Sequence, residues 1–91
     1  MTAVRVVVEG RVQGVGYRAW VECEALARRL SGFVRNRRDG TVEMVFRGAD
    51  ADVRAMAEAC GRGPRLAAVS KVTCLPCEDK TWERFSVQPT L

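Results

Sequence analysis

Hydrophobic and polar residues alternate along residues 4–9, where Val4, Val6 and Val8 fall on one side of an extended chain. A period of two is typical of a strand that buries one face, so we predict a first strand that ends at Gly10. Further along, apolar residues recur at spacings of four, three and four, which predicts a first helix. The inner face of this helix is predicted to consist of Ala19, Cys23, Leu26 and Leu30.

A β-hairpin is predicted after this helix. The Ser31-Gly32 pair is expected to end the helix, because glycine readily adopts the left-handed conformation that stops one. The Asp39-Gly40 pair then lies between two β-prone segments, which is the strongest short-range signal of a hairpin turn. We therefore expect residues 33–38 to pair antiparallel with residues 41–47.

A second helix and a fourth strand follow the hairpin. Asp50 or Asp52 is suitably placed to cap the helix, and the glycines and proline of residues 61–64 break it. Residues 67–74 are predicted to form the strand. Pro76 cannot donate a ladder hydrogen bond, so we expect it at a sheet edge or at the end of this strand. The inner face of the second helix is predicted to consist of Val53, Met56, Ala57 and Cys60.

Residues 82–87 predict a short fifth strand. The order β-α-β-β-α-β in 91 residues predicts an α+β fold, a ferredoxin-like sandwich with an antiparallel sheet and two helices on one face. We expect a single domain over residues 1–91. No segment resembles a membrane span or a signal peptide, so we expect a cytoplasmic protein, and we expect a monomer.

Charge favours an anionic partner without identifying it. The net charge of +4 comes mainly from 13 arginines, accompanied by only 2 lysines. A solvated surface explains such an excess in most proteins, and charge alone does not separate a small phosphate compound from a nucleic acid. Five arginines fall within eleven positions, at residues 28, 29, 35, 37 and 38.

The four cysteines do not indicate a metal site. Cys74 and Cys77 form one CxxC pair without a second pair, and the chain has no histidine to complete a zinc site. We expect no metal and no cofactor. Cys23 and Cys60 lie on the predicted apolar faces of the two helices, so we interpret both as buried thiols in a reducing compartment.

A glycine-rich loop, residues 10–18 (GRVQGVGYR), joins the first strand to the first helix. Glycines allow successive backbone N–H groups to point into one concavity, and the start of a helix adds unpaired donors, so such a loop suits a phosphate. Arg18 can offer two parallel donors to phosphoryl oxygens. Ala19 replaces the third glycine of a dinucleotide-binding loop, and no Gly-Lys-Ser/Thr sequence follows. A tight turn that merely requires glycine remains an equal alternative at this point.

The sequence GRVQGVGYR resembles the first signature of the acylphosphatase family, and residues 32–43 (GFVRNRRDGTVE) resemble the second. The likeness extends over nearly the whole chain. Tyr17 and Phe33 depart from it by replacing the usual phenylalanine and tryptophan, which should preserve packing. The resemblance implies a ferredoxin-like fold and metal-independent hydrolysis of acyl phosphates to a carboxylate and inorganic phosphate.

The resemblance also implies the roles of particular residues. Arg18 would bind the phosphoryl group, and Asn36 would orient the attacking water. The remaining phosphate contacts would come from the backbone N–H groups of Gln13, Gly14, Val15, Gly16, Tyr17 and Arg18. A chain without histidine has no imidazole base, but an acyl phosphate needs mainly charge neutralisation and an aligned water, and its own phosphoryl oxygen can accept the proton. Without the resemblance, an ordinary turn asparagine beside Asp39-Gly40 is the less favoured alternative for Asn36.

Other functions fit the sequence less well. An RNA-binding sheet needs aromatic residues on its central strands, and these strands offer only Phe46, so we expect a small acyl phosphate partner and no nucleic acid. The Cys23 and Arg29 spacing of cysteine phosphatases lacks a phosphate loop, and Asp50 with Asp52 is explained by helix capping. The acylphosphatase-type domain of hydrogenase maturation proteins continues into further regions, so we expect a free hydrolase here.

Overall fold

The computed structural model describes residues 1–77 and 82–91, which form a five-stranded sheet and two helices. The α+β ferredoxin-like fold predicted from the sequence is confirmed. Within the described residues, neither helix has the length and apolar character needed to cross a lipid bilayer. The elements in chain order are β1 (Thr2–Arg11), α1 (Tyr17–Ala27), β2 (Ser31–Asn36), β3 (Val42–Gly48), α2 (Asp50–Cys60), β4 (Ala68–Pro76) and β5 (Phe85–Val87).

The strands of the sheet lie in the order β4-β1-β3-β2-β5. The predicted hairpin is present, with Asn36 opposite Val42 and a loop of residues 37–41 in place of the last predicted pairs. β4 is an edge strand that ends at Pro76, as expected of a residue without an N–H group. β5 begins at Phe85, later than predicted, and pairs with β2 in parallel, whereas the pairs β1–β3, β1–β4 and β2–β3 are antiparallel.

The hydrophobic core lies between the helices and one face of the sheet. Alternate residues of β1 and β3 face it, in keeping with the period of two, and α1 and α2 pack against the sheet and against each other. Burying one such side chain stabilises the fold by about 1.5 to 3 kcal/mol. The residues of the core that are fully shielded from solvent include Val6, Val8, Val34, Val42, Met44, Phe46, Val53, Met56 and Cys60.

The predicted inner face of α1 is wrong except for Leu30, which is buried but lies beyond the end of the helix. The helix buries Tyr17, Val21 and Ala25, whereas Cys23 is exposed and Leu26 is half exposed. Both sets of residues have helical spacing, but the helix begins at Tyr17, and packing of this large aromatic ring selects its own stripe. The interpretation of Cys23 as a buried thiol is therefore wrong, while that of Cys60 is confirmed.

The predicted end of α1 is also wrong. The left-handed residue that follows the helix is Arg29, with φ of 58°, and Leu30 donates its N–H to the carbonyl of Ala25. Ser31 and Gly32 belong to β2 instead. Gly32 is required for a different reason, because a Cβ atom there would lie 1.9 Å from the carbonyl oxygen of Val45.

The predicted cap of α2 differs from the structure. Ala49 occupies the capping position and no side chain caps the helix, while Asp50 and Asp52 lie in its first turn. The carboxylate of Asp50 contacts Arg54, one turn later, at 2.8 Å. Acidic residues in a first turn still interact favourably with the helix dipole. On the predicted inner face, Ala57 is only half-buried, and Ala59 is buried.

Candidate active site

The loop between β1 and α1 adopts a backbone conformation that only glycine adopts easily. Gly14 and Gly16 have φ of 73° and 79°, both in the left-handed region. A Cβ atom at either position would meet nothing within 4 Å, so conformation and not space requires glycine here. Val12 is buried and anchors the start of the loop, and Val15 packs partly against the core.

The same loop presents a series of unpaired backbone donors. α1 begins at Tyr17 without a side-chain cap. Within this helix, the first N–H that reaches a backbone carbonyl is that of Trp20, which donates to Gly16 at 3.0 Å. Among the described residues, no backbone carbonyl accepts an N–H from residues 13–19. Unpaired donors at a helix start, together with the positive end of the helix dipole, form a binding site for an anion.

Arg18 adds a full positive charge to these donors. It lies in the first turn of α1, is half-buried and lines the pocket next to the loop. Its guanidinium forms no hydrogen bond or ion pair with any residue in the described ranges. Arg35, by contrast, is held by Glu43 at 2.7 Å. The guanidinium of Arg18 is therefore available to a ligand.

Asn36 faces the same pocket from the end of β2. Its position continues the alternation of Gly32 and Val34 on the helix-packed side of the sheet. Its side-chain oxygen, Oδ1, is buried and accepts no hydrogen bond from the part of the chain that the structure describes. A buried polar atom without a partner costs about 1 to 3 kcal/mol. Such an atom beside a pocket is suited to bind a water molecule or a substrate.

The backbone of Asn36 is held by Leu91, on the side of β2 that faces away from β3. Leu91 donates its N–H to the carbonyl of Asn36 at 3.0 Å, and Arg38 donates its N–H to the carbonyl of Leu91 at 2.9 Å. These bonds continue the pairing of β2 with the chain that follows β5. The side chain of Asn36 therefore projects from a well-supported strand end.

The pocket has a volume of about 280 Å³ and brings most of the predicted site residues together. Gln13 and Val15 do not line it, since Val15 packs inward and Gln13 directs its side chain towards the hairpin. The backbone N–H groups of Gln13 and Val15 are nevertheless among the unpaired donors of residues 13–19. The lining residues are Val12, Gly14, Gly16, Tyr17, Arg18, Ala19, Asn36 and Val87.

Sequence reasoning missed three of these lining residues. Ala19 had a usable signal, because the first turn of a helix must border a loop that precedes it. The signal for Val12 was weaker and consisted only of its place inside the predicted loop. Val87 had none, because its place depends on the parallel pairing of β5 with β2.

Ionisable groups near the pocket are poorly suited to acid–base or nucleophilic chemistry. Burial is the main cause that raises the pKa of the Tyr17 phenol, which donates a hydrogen bond to the carbonyl of Cys60. Burial also raises the pKa of the Cys60 thiol to about 12, so the thiolate does not form near neutral pH. Across residues 1–77 and 82–91, no three His, Cys, Asp or Glu residues cluster in a way that could hold a metal ion.

Comparison with known proteins gives a consistent result. The family model named acylphosphatase matches residues 4–87. An acylphosphatase of Azorhizobium caulinodans is 58% identical over 69 residues, which is 76% of this chain and 74% of that protein. A crystal structure of acylphosphatase from Bacillus subtilis superposes with a TM-score of 0.93 at 36% identity, covering 97% of this chain and 99% of that one.

A larger protein contains a similar unit. The crystal structure of full-length HypF in a phosphate- and nucleotide-bound form matches with a TM-score of 0.90 at 25% identity. The match covers 98% of this chain and 12% of HypF. The likeness therefore concerns a small part of that protein.

Proposed function

The chain belongs to the acylphosphatase family, and on that premise we propose that it hydrolyses the carboxyl–phosphate bond of acyl phosphates to a carboxylate and inorganic phosphate. One observation carries the assignment of this activity to the pocket. The same pocket is lined by glycines of the loop that carries the unpaired N–H groups, by Arg18 with its uncommitted guanidinium, and by Asn36 with its unpaired Oδ1.

Arg18 and the loop bind the phosphoryl group in this proposal. The N–H groups of residues 13–18 contact its oxygens, and the guanidinium bonds two of them in parallel. These donors are already oriented, so they neutralise the charge that develops during transfer without rearrangement. The reaction needs no metal ion, because the guanidinium and the helix start supply the positive charge that a metal would otherwise provide.

Asn36 positions the water that attacks phosphorus. Its Oδ1 accepts a hydrogen bond from the water and directs a lone pair of the water oxygen at the phosphorus atom. The new P–O bond forms as the bond between phosphorus and the acyl oxygen breaks, and the carboxylate leaves with that electron pair. A phosphoryl oxygen of the substrate accepts one proton of the water. No protein base is required, since the carboxylate is a good leaving group.

Release of inorganic phosphate from acetyl phosphate and from benzoyl phosphate tests this proposal. Arg18→Ala should reduce turnover by on the order of a thousandfold or more, and Arg18→Lys almost as much, because a single ammonium cannot bond two oxygens in parallel. Arg11→Ala is the matched control, since Arg11 is an exposed arginine at the other end of the loop and outside the pocket.

Three outcomes would each contradict a part of the proposal. Wild-type protein that releases no phosphate from either compound would refute the activity. Folded Arg18→Ala protein that keeps more than about a tenth of the wild-type rate would refute the role of Arg18. Treatment with a chelator should leave turnover unchanged, and loss of activity that added metal restores would overturn the metal-free mechanism.

We further propose that the chain is one domain that acts as a cytoplasmic monomer on small molecules and not on nucleic acid. Phe46, the aromatic residue of β1 and β3, is fully buried and stacks on Phe85 at 5.5 Å, so it offers no platform for a base. The elution volume in size-exclusion chromatography tests the oligomeric state. RNA affinity that falls steeply with salt, combined with inertness towards acyl phosphates, would favour an RNA-binding protein instead.

A further inference from the structure

The side chain of Gln13 connects the phosphate loop to the hairpin. Its amide nitrogen, Nε2, donates one hydrogen bond to the carbonyl of Arg37 at 2.8 Å and another to the carbonyl of Thr41 at 2.9 Å. Both hydrogens of the amide are used. In the part of the chain that the structure describes, these two bonds are the side-chain hydrogen bonds that join the loop of residues 12–16 to the turn of residues 37–41.

The two acceptors lie at the two ends of the hairpin turn. Arg37 donates its own N–H to the carbonyl of Thr41 at 2.9 Å, and Gly40 donates to the carbonyl of Arg37 at 3.1 Å. The turn is thus closed on itself, and Gln13 attaches to the closed unit. Arg37 directly follows Asn36, so the attachment is one residue from the side chain that faces the pocket.

The site is assembled from two parts of the chain that are far apart in sequence. The loop carries the N–H donors and leads into Arg18, whereas the hairpin carries Asn36. Phosphate binding depends on the loop and Arg18, but attack by a positioned water depends on the distance and angle between the two parts. A displacement of about 1 Å between reacting groups can reduce a rate about a hundredfold.

We propose that Gln13 is a positioning residue that sets the location of Asn36 relative to the bound phosphoryl group. This inference rests on the hydrolase activity proposed above. A primary amide suits the role because one nitrogen supplies two donors and so bonds both carbonyls at once. Methionine of similar length supplies no donor, and glutamate of the same shape offers two acceptors at neutral pH, which repel carbonyl oxygens.

Gln13→Met and Gln13→Glu test the proposal with acetyl phosphate as substrate and inorganic phosphate as competitive inhibitor. We expect kcat to fall between about tenfold and a hundredfold in both variants. The inhibition constant of phosphate should change less than about threefold for Gln13→Met, because the backbone donors and Arg18 remain. Circular dichroism and urea unfolding establish that each variant is folded.

Asp39→Ala is the matched control for a purely structural effect. Asp39 accepts hydrogen bonds from the N–H and the hydroxyl of Thr41, so its loss weakens the same turn without touching the loop. We expect it to lower stability and to leave kcat within about threefold of wild type. If kcat falls in Asp39→Ala and Gln13→Met in the same proportion to the stability lost, Gln13 merely stabilises the turn and the proposal is wrong.

A double-mutant cycle with Asn36→Ala gives the decisive measurement. If Gln13 acts through Asn36, the loss of kcat caused by Asn36→Ala should be at least about fivefold smaller in the Gln13→Met background than in wild type. Losses that multiply independently would overturn the positioning role while leaving the proposed hydrolase activity intact. Absence of activity in the wild-type protein would refute the activity itself, so the two failures are distinguishable.

Discussion

The hydroxyl of Tyr17 donates a hydrogen bond of 2.6 Å to the backbone carbonyl of Cys60. Tyr17 begins α1 and Cys60 ends α2, so this bond fixes the start of one helix to the end of the other. Carbonyl groups in the last turn of a helix have no donor within the helix, and the phenol supplies one here. The bond also holds the backbone immediately before Arg18.

Tyr17→Phe should separate this structural role from activity. The substitution leaves the buried carbonyl of Cys60 without its donor, which should lower the free energy of unfolding by about 1 to 3 kcal/mol. The ring remains in the core, so we expect kcat to change less than about threefold. Urea unfolding and phosphate release measure the two effects. A large loss of kcat with unchanged stability would instead give the hydroxyl a direct part in the reaction.

Local patterns were sufficient to predict the fold and the parts of the candidate site. Asp39-Gly40 located the hairpin, the glycines of residues 10–16 located the loop, and the change of period separated strands from helices. The first two signals arise from backbone conformations that only a few residue types adopt, so they survive in almost any tertiary context.

Features that depend on contacts between distant residues were not predictable. The stripe predicted for α1 was wrong because packing of Tyr17 against α2, which helical spacing does not show, selects another stripe. The parallel pairing of β5 depends on where the chain returns after β4. The side chain of Gln13 was interpreted as part of a phosphate loop because nothing in its neighbours indicates a partner 24 residues away.

Asn36→Ala should reduce activity without reducing stability. Removal of the side chain eliminates a buried oxygen that lacks a partner, so we expect the free energy of unfolding to stay the same or rise by up to about 1 kcal/mol. Turnover should fall about a hundredfold while phosphate still binds, because only placement of the water is lost. Competitive inhibition by phosphate and urea unfolding measure these quantities. Loss of phosphate binding would reassign Asn36 to anchoring the phosphoryl group.

Gly16→Ala tests whether the left-handed loop conformation serves phosphate binding. An alanine at φ of 79° costs about 1 to 2 kcal/mol, and the surrounding space is open, so the protein should remain folded. Relief of this strain moves the N–H groups, so we expect the inhibition constant of phosphate to rise at least about tenfold.

Gly40→Ala is the control for Gly16→Ala. Gly40 has φ of 91° in the hairpin turn, and a Cβ atom there would also meet nothing within 4 Å. The substitution should cost a similar amount of stability and change the inhibition constant less than about threefold. Equal effects of the two substitutions on phosphate binding would show that the constant reports general stability and not the loop.

Glu43 gives a prediction about acid stability. It lies on β3, only 4% exposed, and accepts hydrogen bonds from Arg35 at 2.7 Å and from Arg5 at 2.6 Å. Burial raises the pKa of this carboxyl, but the hydrogen bonds and charges of the two arginines outweigh burial and hold the pKa below its ordinary value of 4.5. Arg35 also lies over the ring of Phe33, with its guanidinium carbon 5.0 Å from the ring centre.

The sign of the effect follows from linkage. A carboxyl with a lowered pKa in the folded protein stabilises it at any pH above the unfolded value, and this contribution disappears as pH falls below about 4.5 through the folded pKa. Glu43→Gln is neutral throughout and should be less stable than wild type by about 1 to 3 kcal/mol at pH 7. The difference should shrink steadily below about pH 4.5. Thermal unfolding of both proteins from pH 7 to pH 3 measures it, and a difference that does not depend on pH would mean that the arginines do not stabilise the carboxylate.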